Sequence, residues 1–322
     1  MLIFNALKGP RAVAVWALGV AIVGGSLPVF AAETPLKPIR EVFEPAERLD
    51  PARFGKVAVV QWAPSGSTPV GVSRTQAEQV KRSNREELSL LVREAAAKGA
   101  EMVITSELGV LGYPDIPELP SDEDSYRNRD DIAPYVETVP GPTTRTFGRL
   151  ARELGIYLQV GFVEVDSASQ AYYNVAVMLN PQGEIAAKFR KMNLYQLENQ
   201  FLSAGTEPVT FESPFGKIGL LICADVYSFQ PLEAYRRAGV KVLSLSTSWA
   251  QMNTGMGYFK RAAQQLGAYL LAANQPYYPD SGVVNPDGSN QSHIRQTTTG
   301  IAYGYLPRVV SSTQGRQGQA QR

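Results

Sequence analysis

Short apolar runs alternate with amphipathic stretches from Val57 to Tyr305, and this alternation restricts the fold more than any other feature of the chain. Residues 57–60, 102–105, 157–165 and 218–222 are apolar runs of strand length. Between the first two lies a stretch, 76–98, with apolar residues at Ala77, Val80, Leu88, Leu91 and Ala95, the spacing of one buried helical stripe closed by Gly99. Residues 143–154 repeat the pattern with Phe147, Leu150, Ala151 and Leu154 on one face. Strands are expected at 173–179 and 185–191, joined by the turn signal Asn180-Pro181-Gln182-Gly183. Downstream the reading is helix 231–237 ending at Gly239, strand 240–245, helix 259–266, strand 268–273 and a last strand at 299–305. Residues 108–142 and 277–295 read as loops. Strands and helices in alternation, with hairpins inserted, predict one α/β domain with a mixed sheet system.

The ends read differently. Lys8 and Arg11 precede an apolar stretch at 12–23, which Gly24, Gly25 and Pro28 break, and Val29-Phe30-Ala31 supplies small residues before Ala32. The run is too short to span a bilayer and has the form of a secretory signal peptide, so 1–31 is expected to be cleaved near Ala31 and the protein exported to the periplasm or medium. Residues 32–54 form a Pro-rich arm, 55–310 the domain, and 311–322 a disordered tail. With 31 basic and 30 acidic residues the chain has no electrostatic footprint for nucleic acid or anionic lipid, and no membrane contact is expected once the leader is removed.

A single cysteine, Cys223, cannot form an internal disulfide. It follows the strand 218–222 directly and precedes a helix, so its sulfur is held at a sharp turn facing N–H groups that can bind an oxyanion or lower a thiol pKa. A small buried hydrophobe is the other reading. In 185–191 the alternation puts Ile185, Ala187, Phe189 and Lys191 on the inward face, leaving Lys188 and Arg190 as a solvated pair. An inward lysine requires a partner or a function, unless it snorkels outward. Glu107 follows the strand 102–105 and either lines a crevice at the strand ends or meets water. His293, the only histidine, reads as a solvated loop residue, and one histidine with one cysteine forms no metal cluster. No cofactor motif is present.

A hydrolase without histidine needs another base, and Glu107, Lys191 and Cys223 supply the groups. In Val103-Ile104-Thr105-Ser106-Glu107, Phe189-Arg190-Lys191-Met192-Asn193-Leu194 and Leu221-Ile222-Cys223-Ala224-Asp225 the chain resembles the carbon–nitrogen hydrolase (nitrilase) superfamily. Thr247-Ser248-Trp249 and Ala272-Ala273-Asn274 resemble further landmarks, and the likeness spans about residues 55–305. The resemblance implies a four-layer α-β-β-α sandwich and a Glu–Lys–Cys triad at strand ends. It also implies a small-molecule amide substrate, no cofactor, and homodimers as in much of the family. Glu107 would be the base, and Lys191 with the Ala224 N–H would stabilise the oxyanion, Lys191 also favouring the thiolate. Glu198 would orient Lys191 or the amide, or is a surface acid. Tyr113, Tyr195 and Trp249 are pocket walls or ordinary core aromatics. Asn193-Leu194 with Glu198-Asn199-Gln200-Phe201 looks most like the vanin/biotinidase branch of secreted amidases, although that branch carries several cysteines. Nitrile hydrolysis, N-acyl transfer and a non-catalytic binding protein on the same scaffold are the alternatives.

Overall fold

The computed structural model describes residues 41–45, 49–66, 68–114, 126–249, 251 and 254–309. The leader expected at 1–31 and the tail expected at 311–322 lie outside them. The chain runs β1 (Glu41–Phe43), β2 (Phe54–Gln61), α1 (Arg74–Ala97), β3 (Met102–Thr105), α2 (Arg129–Ile132), α3 (Pro142–Leu154), β4 (Tyr157–Val165), β5 (Tyr172–Leu179) and β6 (Ile185–Arg190). It continues through β7 (Thr210–Ser213), β8 (Gly216–Ile222), α4 (Phe229–Ala238), β9 (Val242–Ser246), α5 (Gly255–Leu266), β10 (Tyr269–Ala273), β11 (Ser281–Val284), β12 (Asn290–Ile294) and β13 (Gly300–Pro307). Two single-turn 3₁₀ segments, Gln196–Gln200 and Cys223–Tyr227, sit at strand ends.

The strands form two sheets, ordered β1-β13-β2-β3-β4-β5-β6 and β12-β11-β10-β9-β8-β7. β2, β3 and β4 run parallel in the first, and β8, β9 and β10 in the second, with antiparallel hairpins at the flanks. Strand alternation builds the layers. Val57, Val59, Met102 and Ile104 face the second sheet and pack with Leu220, Val242 and Leu271, whereas Ala58, Val60 and Val103 face α1 and α3. Phe259 of α5 and Tyr235 of α4 cover the far side of the second sheet. The result is the expected α-β-β-α sandwich, in which each fully buried large apolar side chain contributes about 1.5–3 kcal/mol.

Local chemistry sets the helix limits. Ser73 caps α1: its Oγ accepts from the Gln76 N–H at 3.3 Å, and the Gln76 side chain accepts from the Ser73 N–H at 3.0 Å. α3 starts on Pro142, and Gly155 ends it in the left-handed conformation (φ 67°).

Four expectations are corrected. The segment read as a loop at 277–295 contains β11 and β12, and the arm carries β1, paired in parallel with β13. β12 (Asn290–Ile294) is an edge strand with little buried face, so its sequence lacks the apolar alternation that marks the interior strands. Edge strand β7 escaped for the same reason. Lys188 and Arg190 are not simply solvated: both engage Glu164, and Arg190 also pairs with Asp166 at 2.7 Å. Ile185, placed on the inward face by alternation, is exposed at the start of its strand.

Candidate active site

The carboxyl ends of β3, β8, β9 and β10 meet between the sheets, the location where open α/β sheets form crevices. A buried polar stitch fixes their relative register. Ser246 Oγ on β9 donates to the Thr105 carbonyl at 2.7 Å, Gln159 Nε2 on β4 donates to Ser246 Oγ at 2.8 Å, and Ser244 Oγ donates to Gln159 Oε1. Beyond the stitch, the Glu107 N–H reaches the Thr247 carbonyl at 3.3 Å and Gln275 Nε2 donates to the Glu107 carbonyl at 2.8 Å. Gly161 on β4 permits this approach. A Cβ there would lie 2.9 Å from the Ser106 carbonyl oxygen and 3.0 Å from the Leu108 nitrogen.

The Glu107 side chain is almost wholly buried. Its Oε1 accepts from Lys191 Nζ at 2.8 Å and from Asn174 Nδ2 at 2.7 Å, and its Oε2 accepts from the Ser248 N–H at 2.8 Å. Lys191, delivered by the end of β6 as the alternation predicted, is also buried and pairs with Glu198 Oε2 at 2.7 Å. Glu198 is therefore no surface acid. It also accepts from the Tyr195 N–H at 2.7 Å and from Asn174 Nδ2 at 3.2 Å. Burial, with Glu198's charge added, pushes the Glu107 carboxyl above its ordinary range against the pull of Lys191 and Asn174. Burial alone would lower the Lys191 ammonium, but the two carboxylates raise it well above its ordinary value, so it is charged.

Cys223 begins the 3₁₀ turn at the end of β8 with φ 46°. Positive φ at a non-glycine residue costs about 1–3 kcal/mol and persists where the surroundings impose it. Leu108 (φ 48°), after Glu107, and Gln196 (φ 43°), before Glu198, share this strain. Asp225 Oδ1 accepts from the Asn193 N–H at 2.7 Å and Oδ2 from the Ile222 N–H at 3.2 Å, tying the turn to the segment after Lys191. Burial raises the Asp225 carboxyl to about 7. Ala224 follows Cys223 in the first positions of this turn, where N–H groups lack a partner within the turn itself. The expected lowering of the thiol pKa is not found. Burial and the charge of Glu107 push it up to about 12, outweighing Lys191 and the adjacent Thr247 hydroxyl. The resting group is a thiol, and attack on an electrophile requires a base.

Aromatic side chains surround this centre. Tyr113 is half-buried, and burial with the charge of Glu107 raises its hydroxyl well above the ordinary value. Tyr195 is on the rim, its hydroxyl accepting from Gln196 Nε2 at 3.2 Å. Trp249 is buried and follows Ser248, whose carbonyl oxygen is 4.0 Å from Cys223 Sγ. The sequence pattern gives no role to Asn174, Asp225, Tyr227 or Tyr258. The signal for Asn174 is a lone amide in the otherwise apolar run of β5. His293 is corrected: it lies on β12, with Nε2 2.7 Å from Oδ1 of buried Asp280, rather than in a solvated loop. Among the described residues no group of three or more His, Cys, Asp or Glu side chains is placed to hold a metal, and no helix is long and apolar enough to cross a membrane.

A model of the family described as carbon-nitrogen hydrolase matches residues 56–313. A pantetheinase of Canis lupus familiaris is 26% identical over 269 residues, covering 72% of this chain and 50% of its own. An omega-amidase NIT2 of Xenopus tropicalis is 28% identical over 192 residues, covering 56% of this chain and 63% of its own. The chain thus spans about half the length of the pantetheinase it matches. Among solved structures, Nit3 of Saccharomyces cerevisiae, a member of branch 10 of the nitrilase superfamily, superposes with a TM-score of 0.64 at 20% identity, covering 79% of this chain and 90% of its own. An amidase from Nesterenkonia sp. gives 0.61 at 20% identity with the same coverage.

Proposed function

The chain belongs to the carbon–nitrogen hydrolase family, and on that footing we propose that it is an exported amidase that cleaves a non-peptide amide through a thioester on Cys223. The observation that carries this reading is the buried Glu107 carboxylate, fixed by Lys191, Asn174 and the Ser248 N–H, acting electrostatically on a thiol that needs a base. Glu107 takes the Sγ proton as sulfur bonds to the amide carbon, and the carbonyl oxygen becomes an alkoxide. The Lys191 ammonium and the Ala224 N–H stabilise that charge. The C–N bond then breaks, Glu107 returns the proton to the departing nitrogen, and an acyl thioester remains. Water, deprotonated by Glu107, attacks the thioester. The C–S bond breaks, the carboxylic acid leaves, and the sulfur regains a proton. Glu198 holds Lys191 toward the reacting oxygen.

Replacing Cys223 by Ala is expected to lower ammonia release from primary amides by several orders of magnitude. Retained hydrolysis contradicts the scheme. Assays of amides, nitriles and amides with added acceptor amine separate amidase, nitrilase and acyltransferase chemistry by their products. Export rests on the leader at 1–31. N-terminal sequencing of protein from a periplasmic fraction is expected to begin at Ala32, and an intact Met1 there contradicts cleavage.

A further inference from the structure

Three aromatic rings beside the nucleophile have no part in the chemistry above. Tyr227 closes the same 3₁₀ turn that begins with Cys223, and burial, with the charges of Cys223 and Tyr195 added, raises its hydroxyl above the ordinary value. Its ring meets Trp249 edge-on at a centroid distance of 6.0 Å, and Tyr258 of α5 lies 5.4 Å from both. Phe259, fully buried, backs Trp249 at 5.4 Å. The front is open: Tyr227 is 45% and Tyr258 38% exposed, although rings of this size ordinarily contribute to a core.

The wall is rigid. Trp249 Nε1 donates to Thr254 Oγ1 at 2.7 Å, and its backbone N–H donates to Asn274 Oδ1 at 2.8 Å. The first turn of α5, which carries Tyr258, is pinned by Asp280, whose Oδ2 accepts from the Met256 N–H at 3.1 Å and whose Oδ1 is held by His293. The one histidine thus acts through Asp280 to place the wall. A preorganised aromatic surface spends little conformational entropy on capturing a ligand.

Which part of a substrate would reach it follows from the site. Glu107, Lys191, Glu198 and Asn174 belong to the first sheet and its connections, whereas Tyr227 follows β8, as Cys223 does, and Trp249 follows β9, its neighbour in the second sheet. In a thioester mechanism the acyl group is the part that stays bonded to Cys223. Lys191 is already engaged by two carboxylates, so it offers little to an anionic acyl tail. Resting on the amidase reading, we propose that Tyr227, Trp249 and Tyr258 bind the acyl group of the substrate and select amides whose acyl chain carries a planar aromatic ring.

The test compares kcat/KM for ammonia release from 3-phenylpropanamide, hexanamide and succinamate. The aromatic amide is expected to exceed each of the others by about tenfold or more, the scale of discrimination an apolar pocket achieves. Tyr258→Ala is expected to reduce that ratio toward one, and Tyr258→Phe to keep it. Equal rates for the first two amides, or a preference for succinamate through Arg261, which lies 5.7 Å from the Tyr258 centroid, overturn the proposal and leave the amidase reading intact. Conversely, calorimetric binding of 3-phenylpropanamide to Cys223→Ala, lost in Cys223→Ala/Tyr258→Ala, supports the wall even if no amide is hydrolysed. If Tyr258→Ala alters the sedimenting mass while the ratio stays fixed, the rings belong to a contact between two copies of the chain, and the proposal fails.

Discussion

The two sides of the crevice are built by different physics. On the side of the first sheet, Glu107, Lys191, Glu198 and Asn174 are buried and held by bonds of 2.7–3.2 Å, each with at least one charged partner. On the side of the second sheet, Cys223 Sγ lies beside the Thr247 hydroxyl and 4.0 Å from the Ser248 carbonyl, in a turn with positive φ that Asp225 braces from below. One side holds charge in place with partners. The other holds a neutral thiol in place with geometry and leaves its sulfur free to form a bond. The difference predicts that substitutions on the two sides will separate stability from activity.

The largest contrast is between Lys191→Met and Cys223→Ser. Removing the ammonium leaves two buried carboxylates facing each other, and breaking a buried ion pair this way costs about 3–5 kcal/mol. Lys191→Met should therefore lower kcat/KM by about 100- to 1,000-fold or more and also lower the denaturation midpoint. Cys223→Ser should abolish activity while the midpoint stays nearly unchanged. Equal destabilisation by both, measured by urea unfolding, would erase the distinction.

An intermediate effect is expected from Asn174→Ala. The amide favours the ionised form of Glu107, so its loss raises that carboxyl further. In the proposed mechanism activity requires ionised Glu107 and rises with pH through its folded pKa, already above the ordinary carboxylate range. The acidic limb of the kcat/KM profile should move to higher pH in the variant. On that limb the rate falls about tenfold for every pH unit by which the profile moves. A lower rate with an unmoved limb would give Asn174 a packing role only.

The smallest effect concerns Asp225. Its carboxyl sits at about 7 in the fold, against 3.8 ordinarily. Between those values the native state keeps a proton that the unfolded chain has lost. The stabilisation is thus complete at low pH and disappears as pH rises through the folded value. Asp225→Asn should flatten the fall in melting temperature between about pH 4 and 7, leaving the slope due to Glu107. An unchanged slope would show that Asp225 titrates normally.

How much of this is legible in the sequence depends on burial. Lys191 is readable because Ala187 and Phe189 fix the inward face of β6, and strand alternation then determines the direction of the next residue but one. Glu107 and Cys223 are readable because both follow apolar strands without an intervening loop. After Tyr277, β12 is not readable because it is polar and lies at a sheet edge, and β11 because its buried run is only four residues long. The thiol pKa defeats sequence reading for a different reason. Lys191 does favour the thiolate, as expected. Its strength relative to desolvation depends on how deeply Cys223 is buried and on Glu107 lying near, which a linear sequence does not report. Asn174 bridges residues 67 and 24 positions away, a pairing that only the three-dimensional register creates.

The central claim is that the strained, neutral thiol of Cys223 becomes the acyl carrier under the action of Glu107. Mass spectrometry of the protein trapped with a slowly hydrolysed amide or ester tests it most directly. The account predicts a single acyl adduct, mapped to the peptide containing Cys223, formed far more slowly in Glu107→Gln. An adduct on another residue, or turnover of the same substrate by Cys223→Ala, would contradict it.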